Sequence, residues 1–203
     1  MFLKYKKFMQ NKISLSIDGW KLFESKLKIV KFKKGDIIHN IGDICHQLLF
    51  INKGIARAYS LDEKGKDYTN IIYFNDINSN MINLYVVDYE SFVNQNESRL
   101  EIQALEDCEF ISINYKDIQF IYNNLKNGER FGRLMNQEAY SYSHHKIIDL
   151  QSKSAKERFD DFMYNTPFLL EKVPQYHIAT LLGISPEHLS RLKKNTLLIN
   201  IYQ

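Results

Sequence analysis

Residues 174–195, PQYHIATLLGISPEHLSRLKKN, combine two short amphipathic segments with a cluster of basic side chains. Such side chains on a helix can neutralise nucleic-acid phosphates and hydrogen-bond to base edges. Ile178, Ala179 and Leu182 lie on one face of a first helix, because helical residues three or four apart are neighbours. Gly183 can adopt a positive φ without steric cost, so the chain can turn sharply there. The pattern predicts a helix-turn-helix, with duplex DNA as its partner.

The second helix of this motif is predicted to begin at Ser185, whose hydroxyl can accept a hydrogen bond from a first-turn N–H group. Leu189 and Leu192 are three apart and face the first helix, which leaves the opposite face pointing outward. Residues in the N-terminal part of such a helix reach base edges in the major groove. The predicted base contacts are Pro186, Glu187, Ser190 and Arg191, and the predicted phosphate contacts are Gln175, Lys193 and Lys194.

Arg191 is the first candidate for a base contact, because its guanidinium fork pairs with O6 and N7 of guanine. Glu187 can accept a hydrogen bond from the amine of cytosine. An ordinary packed helix pair with a solvated basic end is the alternative interpretation. The DNA-binding interpretation is favoured because Ala179, Gly183 and the apolar residues around them all occupy the offsets expected of the motif.

The stretch from Val173 to Lys194 resembles the C-terminal DNA-binding motif of the cyclic AMP receptor and fumarate-nitrate regulator (Crp/Fnr) family of bacterial transcription factors, especially in the phrase LGISPEHLSR. The resemblance implies a homodimer whose two recognition helices lie about 34 Å apart and read a pseudo-palindromic site. Glu187 matches the family's base-reading acid. The family's best-known members have an arginine where this chain has Pro186, so their operator sequence is not transferred.

The resemblance also implies an α+β fold with three parts in order. These are a double-stranded β-helix of the cyclic-nucleotide-binding jelly-roll type with a leading helix (1–126), a long dimerisation helix (127–152) and a winged-helix-like helix-turn-helix domain (153–203). The residues agree with this order. Turn signals recur every 7 to 12 residues or so between apolar runs from Val30 to Asn114, and helical spacing returns at Tyr115. The predicted leading helix covers 14–27, and the predicted strands cover 37–38, 48–51, 55–59, 68–74, 101–105 and 110–113.

The dimerisation helix carries apolar residues at mostly helical intervals, interrupted by polar side chains, so no strong coiled coil is expected. The predicted dimer-interface residues are Phe131, Leu134, Met135, Tyr142 and Ile148. Ser154 and Glu157 form a capping-box pattern that opens a further helix through Tyr164. After Asn195 the remaining TLLINIYQ is enough for one strand and too short for a two-stranded wing.

A ligand site in the roll is predicted to be altered. Nucleotide-binding members of the resembled family use a Gly-Glu pair and a downstream arginine to hold the ribose and phosphate. The corresponding segment here, 88–100, contains no glycine, and Ser98 stands where the family's arginine would be. Arg99 follows one position later, where strand alternation turns it to the opposite face. We therefore expect no binding of cyclic AMP in the usual manner. Glu90 and Arg99 are candidates for another ligand or ordinary solvated charges, and the effector is unknown.

Composition excludes several classes of protein. The chain has 203 residues and two cysteines, Cys45 and Cys108, too few for a four-cysteine iron-sulfur or zinc site. Residues 1–34 and 151–203 carry an excess of basic side chains and 35–150 an excess of acidic ones. No apolar run approaches the roughly 18 residues of a membrane helix, and no signal-peptide core is present, so a cytoplasmic protein without membrane contact is expected.

No enzyme motif is found, and no metal or cofactor is expected. His144 and His145 are adjacent, and adjacent helical side chains point about 100° apart. His39 and His46 lack the His-x-His pair of a cupin metal site. Three functions stay open, in order: a DNA-binding regulator with RNA polymerase as a further candidate partner, a β-roll signalling or scaffold module with a protein-binding helical tail, and a cupin-like enzyme.

Overall fold

The computed structural model describes residues 2–77 and 79–201, apart from the side chains at positions 3, 4 and 196–201. Its strands form two four-stranded antiparallel sheets of a jelly roll, in the orders β1–β8–β3–β6 and β2–β7–β4–β5. The strands are Lys28–Phe32 (β1), Ile37–His39 (β2), Gln47–Lys53 (β3), Ile55–Leu61 (β4), Asp67–Phe74 (β5), Tyr85–Val86 (β6), Glu101–Ala104 (β7) and Cys108–Asn114 (β8). Each strand predicted from the sequence is present.

The helices flank the strands in the sequence and continue to the end of the described chain. They are Leu3–Gln10 (α1), Ile17–Glu24 (α2), Met81–Leu84 (α3), Tyr89–Asn94 (α4), Tyr115–Asn124 (α5), Gly128–Ser152 (α6), Ala155–Asn165 (α7), Leu169–Lys172 (α8), Gln175–Leu181 (α9) and Pro186–Ile201 (α10). The helix predicted over 127–152 is observed as α6. The capping box at Ser154 is confirmed, because its hydroxyl accepts from the Glu157 N–H group and the Glu157 carboxylate accepts from the Ser154 N–H group.

The chain folds into two compact units, residues 1–58 with 72–142 and residues 59–71 with 143–203. The predicted boundaries at 126 and 152 therefore differ from the observed one. The boundary between the two units lies within α6, and the end of the β4–β5 hairpin belongs to the second unit. Loop residues 62–66 and the strand ends beside them belong to the second unit. Sequence periodicity marks where a helix begins and ends, and tertiary contacts decide which unit each part of it joins.

An aromatic cluster forms part of the core of the first unit. The ring centroids of Tyr5 and Phe50 are 4.7 Å apart, those of Phe50 and Tyr85 5.5 Å, and those of Tyr85 and Phe131 5.7 Å. The cluster joins α1, β3, β6 and the start of α6. Aromatic pairs at these separations contribute beyond the area that they bury. Helix α1 was not predicted, because only one leading helix was expected.

The turn between β3 and β4 requires a glycine. Gly54 has a φ of 96°, and a Cβ there would lie 2.7 Å from both the Asp107 carbonyl oxygen and the Cys108 sulfur.

Cys45 and Cys108 are both buried, and burial raises the pKa of each thiol, to about 11 for Cys108. They pack as small apolar side chains, as expected.

Residues 196–201, which the sequence analysis found long enough for one strand, are helical. Helix α10 continues to Ile201, and residues 186–201 contain no strand. The apolar and β-branched residues of TLLINI favour a strand in isolation. No glycine or proline follows Asn195 to end the helix, so its hydrogen bonding continues. The described residues after Asn195 are therefore part of α10.

Candidate functional site

Helices α9 and α10 meet at the turn that the sequence predicts. Gly183 has a φ of 66°, and the N–H group of Ile184 donates to the Ala179 carbonyl oxygen at 3.0 Å. The N–H group of His188 donates to the Ser185 hydroxyl at 3.2 Å, which caps α10 as expected. The turn is thus held by backbone bonds and one side-chain cap.

The facing sides of this helix pair are apolar and fully packed. Ile178, Ala179 and Leu189 have no exposed surface, and Leu182 and Leu192 are also buried. Ala179 supplies the small side chain that lets the two backbones approach. The opposite face of α10 is therefore the one available to a partner.

Arg158 on α7 stabilises the end of α9. Its Nε donates to the Leu182 carbonyl oxygen at 2.9 Å and its Nη1 to the Lys153 carbonyl oxygen at 2.5 Å. Carbonyl groups at a helix end lack intrahelical partners, so a guanidinium that binds them fixes the turn. Sequence reasoning missed this role, since nothing in the local pattern links residues 158 and 182.

The outward face of α10 presents the predicted DNA-contacting side chains. Glu187, Arg191 and Lys194 are exposed and lie four and three residues apart, so they form one stripe along the helix. The other four predicted contacts flank the stripe or precede it: Pro186, Ser190 and Lys193 are half-buried, and Gln175 at the start of α9 is exposed.

Glu187 keeps its charge near neutral pH. A hydrogen bond with the Ser185 side chain lowers the pKa of Glu187, and its own backbone N–H group, Arg191 and Lys66 lower it further. A carboxylate accepts hydrogen bonds only. At the N-terminal end of α10, Glu187 can therefore accept from a base amine.

The end of the β4–β5 hairpin packs in the same unit as this helix pair. The Tyr176 hydroxyl donates to the Asp67 carbonyl oxygen at 2.9 Å, and the Thr69 N–H group donates to the Thr180 hydroxyl at 3.1 Å. Lys146 on α6 donates to the Asn70 carbonyl oxygen at 2.5 Å. The sequence signalled only a turn at 63–66, and these docking contacts were missed.

Helix α6 divides its apolar residues between the core and the surface. Phe131 and Met135, two of the predicted interface residues, are buried within the first unit, Phe131 against Tyr85. Their assignment to the dimer interface is corrected, because a side chain packed in its own protomer cannot pack against a partner. The other three predicted interface residues are Leu134 and Tyr142, half-buried, and Ile148, which is 43% exposed. Tyr140, Ile147 and Leu150 are exposed apolar side chains that were not predicted.

The segment that corresponds to the nucleotide cassette contains an internal carboxylate. Asp88 is buried and accepts from the Ser98 hydroxyl at 2.6 Å and from the Ser91 N–H group at 3.4 Å. Part of this segment is helix α4 rather than strand. Beyond it Ser98 is buried and Arg99 exposed, although both precede β7 and do not lie in a strand.

The predicted ligand residues do not line the cavity between β2, β3 and β6 in the first unit. The Glu90 carboxylate accepts from the side chains of Asn94 and Asn96, and both Glu90 and Arg99 are exposed. The cavity, of about 740 Å³, is lined by fourteen described residues that include His39, Asp43 and Glu97 and no lysine or arginine. Its lining therefore offers an anion no lysine or arginine, and histidine is the only basic residue type in it.

Comparison with known proteins identifies the roll. Residues 29–125 match the model of the cyclic nucleotide-binding domain. The roll is therefore similar to that domain over most of its length. No curated protein sequence matches the chain.

Solved structures extend the likeness to most of the chain. FixK2 from Bradyrhizobium japonicum is 15% identical with a TM-score of 0.70, over 86% of each chain. A protein assigned to the Crp/Fnr family of transcriptional regulators from Eubacterium rectale is 20% identical with a TM-score of 0.67, over 91% of this chain and 84% of that one. CLP from Xanthomonas campestris, described as a c-di-GMP-responsive global regulator, is 14% identical with a TM-score of 0.60, over 91% and 93%. At these identities the likeness establishes the fold, which is that of Crp/Fnr transcription regulators.

The described residues contain neither a metal-ligand cluster nor a membrane-spanning helix. They contain no group of three or more histidine, cysteine, aspartate or glutamate side chains placed to hold a metal ion. Within the same residues, every helix is too short or too polar to cross a membrane.

Proposed function

We propose that the protein is a homodimeric DNA-binding transcription regulator of the Crp/Fnr type. The observation that carries this proposal is the exposed stripe of Glu187, Arg191 and Lys194 on α10, whose opposite face is buried against α9. In a helix-turn-helix such a stripe enters the major groove, and the preceding helix crosses the backbone. Arg191 reads guanine, Glu187 accepts from a cytosine amine, and Lys194 contacts phosphate.

The dimer is proposed to form through α6. The helix runs for 25 residues and exposes Tyr140, Ile147, Ile148 and Leu150 on its second half. Two copies joined along this helix bury these side chains, whose exposure in a single chain is unfavourable. The dimer sets two copies of α10 about 34 Å apart, one turn of the duplex. The protein acts where bacterial DNA lies, in the cytoplasm.

The roll is proposed not to bind cyclic AMP. The buried Asp88 carboxylate lies next to Ser98, at the position where the family resemblance puts the phosphate-binding arginine. A second anion beside a buried carboxylate is repelled in a medium of low dielectric constant. The fold of the family's sensor is therefore retained without the charge that its best-known ligand needs.

Selection of bound duplexes from a random pool, followed by mobility-shift titrations across salt concentrations, tests DNA binding. We expect an enriched site with two-fold symmetry and an affinity that falls steeply with salt. The same two experiments distinguish DNA binding from the main alternative, a scaffold with a protein-binding tail. For a scaffold we expect no enriched sequence in the selection and no mobility shift at low salt.

A further inference from the structure

We propose that the end of the β4–β5 hairpin, residues 62–66, is a second DNA-contacting element that places Lys64 and Lys66 against phosphates beside the groove read by α10. This inference rests on the proposed function and adds a surface that the helix-turn-helix pattern does not contain. Three features of the second unit carry it: the docking of the hairpin, the rigidity of its turn and the position of its charges.

The hairpin is held to α9 by two hydrogen bonds at its second strand, β5. The Asp67 carbonyl oxygen accepts from the Tyr176 hydroxyl, and Thr69, 2% exposed, donates its N–H group to the Thr180 hydroxyl. Tyr176 directly follows Gln175, the predicted phosphate contact at the start of α9. The hairpin therefore adjoins the end of α9 that meets the DNA backbone in a helix-turn-helix.

The turn itself is ordered by one carboxylate. Asp62 accepts from the N–H groups of Lys64 and Lys66, each at 2.9 Å, and the Gly65 N–H group donates to the Asp62 carbonyl oxygen at 3.0 Å. The two bonds from the lysine N–H groups to the carboxylate lower the pKa of Asp62, and the larger effect comes from the Lys66 N–H group. The backbone of the two lysines is thus fixed before any ligand arrives, which reduces the entropy lost on binding.

The lysine side chains are exposed and close to the reading face. Among the side chains that the structure describes, at positions 2, 5–77 and 79–195, neither Lys64 nor Lys66 has an ion-pair partner. The Lys66 ammonium lies 5.1 Å from the centre of the Tyr68 ring. The charge of Lys66 also reaches Glu187 at the start of α10, where it contributes to the lowered pKa of that carboxyl. With the docking of β5 on α9, this places Lys66 on the side of the unit that carries the start of α10.

The test is the salt dependence of DNA binding by the full chain carrying Lys64→Gln and Lys66→Gln together. Each phosphate contact contributes about −0.9 to the slope of log K against log salt on B-DNA. We expect the slope to become less negative by about 1.8, with a several-fold loss of affinity that is equal for specific and random duplexes. Lys116→Gln with Lys126→Gln, which makes the same charge change in the first unit, is the matched control and should leave the slope unchanged.

Glu63 gives a test of opposite sign, because it is exposed at the same turn. Glu63→Gln removes a charge that repels phosphate, so binding should tighten on all sequences.

Tyr176→Phe deletes the hydroxyl that holds the hairpin, and in that background the effect of the two lysine substitutions should shrink. Thermal unfolding of each variant confirms that it is folded.

Wild-type binding with an unchanged slope in the double variant overturns this inference and leaves the proposed function standing. Tighter binding after removal of the two lysines, or after Tyr176→Phe, also overturns it and shows instead that the hairpin obstructs the reading face. Absence of wild-type binding to any duplex overturns both proposals.

Discussion

The helix pair α9–α10 and the segment 88–100 of the roll differ in how their sequence relates to their structure. In the helix pair, Gly183, Ser185 and the buried leucines take the positions that local spacing predicts. In the roll segment, Asp88 and Ser98 form an internal hydrogen bond at the place where the resemblance implies a phosphate-binding arginine. The comparison teaches that the helix pair depends on residues within a few positions of each other, whereas the roll segment depends on a side-chain contact between residues ten positions apart.

The largest expected effect concerns the core of the second unit, between α9 and α10. Leu189→Ala removes a side chain with no exposed surface that joins α10 to α9. We expect a loss of about 2 to 5 kcal/mol in the free energy of unfolding, from lost burial and a residual cavity. Urea denaturation measures it, with Tyr164→Ala as the control, since Tyr164 is 87% exposed in the same unit. Equal stability of the two variants would mean that α10 does not pack as described.

The next effect separates base recognition by α10 from its sequence-independent attraction to phosphates. Arg191→Ala should reduce discrimination between specific and random duplexes by about 1 to 3 kcal/mol. Lys194→Ala should weaken binding to all sequences alike and reduce the salt slope by about 1. Competition titrations with both duplexes provide the measurement. If both substitutions act equally on both duplexes, α10 does not read bases.

A third effect probes the joint between α6 and the hairpin. Burial lowers the pKa of Lys146 to about 8, so the unfolded chain binds more protons than the folded one between about pH 8 and 10.5. Stability attributable to this residue therefore rises with pH through that window. The stability difference between wild type and Lys146→Met should move by about 1 to 2 kcal/mol in favour of wild type from pH 8 to pH 10. A pH-independent difference in chemical denaturation would contradict the buried position.

The smallest expected effect is none. Cyclic AMP and cyclic GMP at micromolar concentrations should give no saturable thermal stabilisation, because the cassette offers a carboxylate where the ligand needs a cation. A duplex selected from the random pool serves as the positive control in the same assay. A saturable shift with either nucleotide would show that the roll has kept the family's ligand by other contacts.

The parts of the fold that the sequence predicted are those set by neighbours along the chain. The Ser154 capping box, the turn at Gly183 and the stripe from Glu187 to Lys194 each depend on residues within one or two helical turns. The strands of the roll follow for the same reason, since apolar runs and turn residues are local signals.

What the sequence did not predict depends on contacts between distant residues. Phe131 was assigned to an interface because its spacing marks an apolar face, and only the position of Tyr85 shows that this face meets the core. The docking of Asp67 and Thr69 on α9 crosses more than one hundred positions. The helical end of α10 was not predicted, because the apolar and β-branched residues after Asn195 favour a strand when considered alone. The lack of a glycine or proline that would end the helix is the signal that could have predicted it.

The two buried cysteines have a practical consequence for labelling chemistry. Alkylating reagents attack exposed thiolates, and both native thiols are buried with raised pKa values. A single cysteine introduced at an exposed site, such as Tyr164→Cys in α7, would therefore react alone at neutral pH, with the native pair left in place. Fluorophores attached there would report on the second unit without a cysteine-free background, and in the proposed dimer they would report the distance between its two copies.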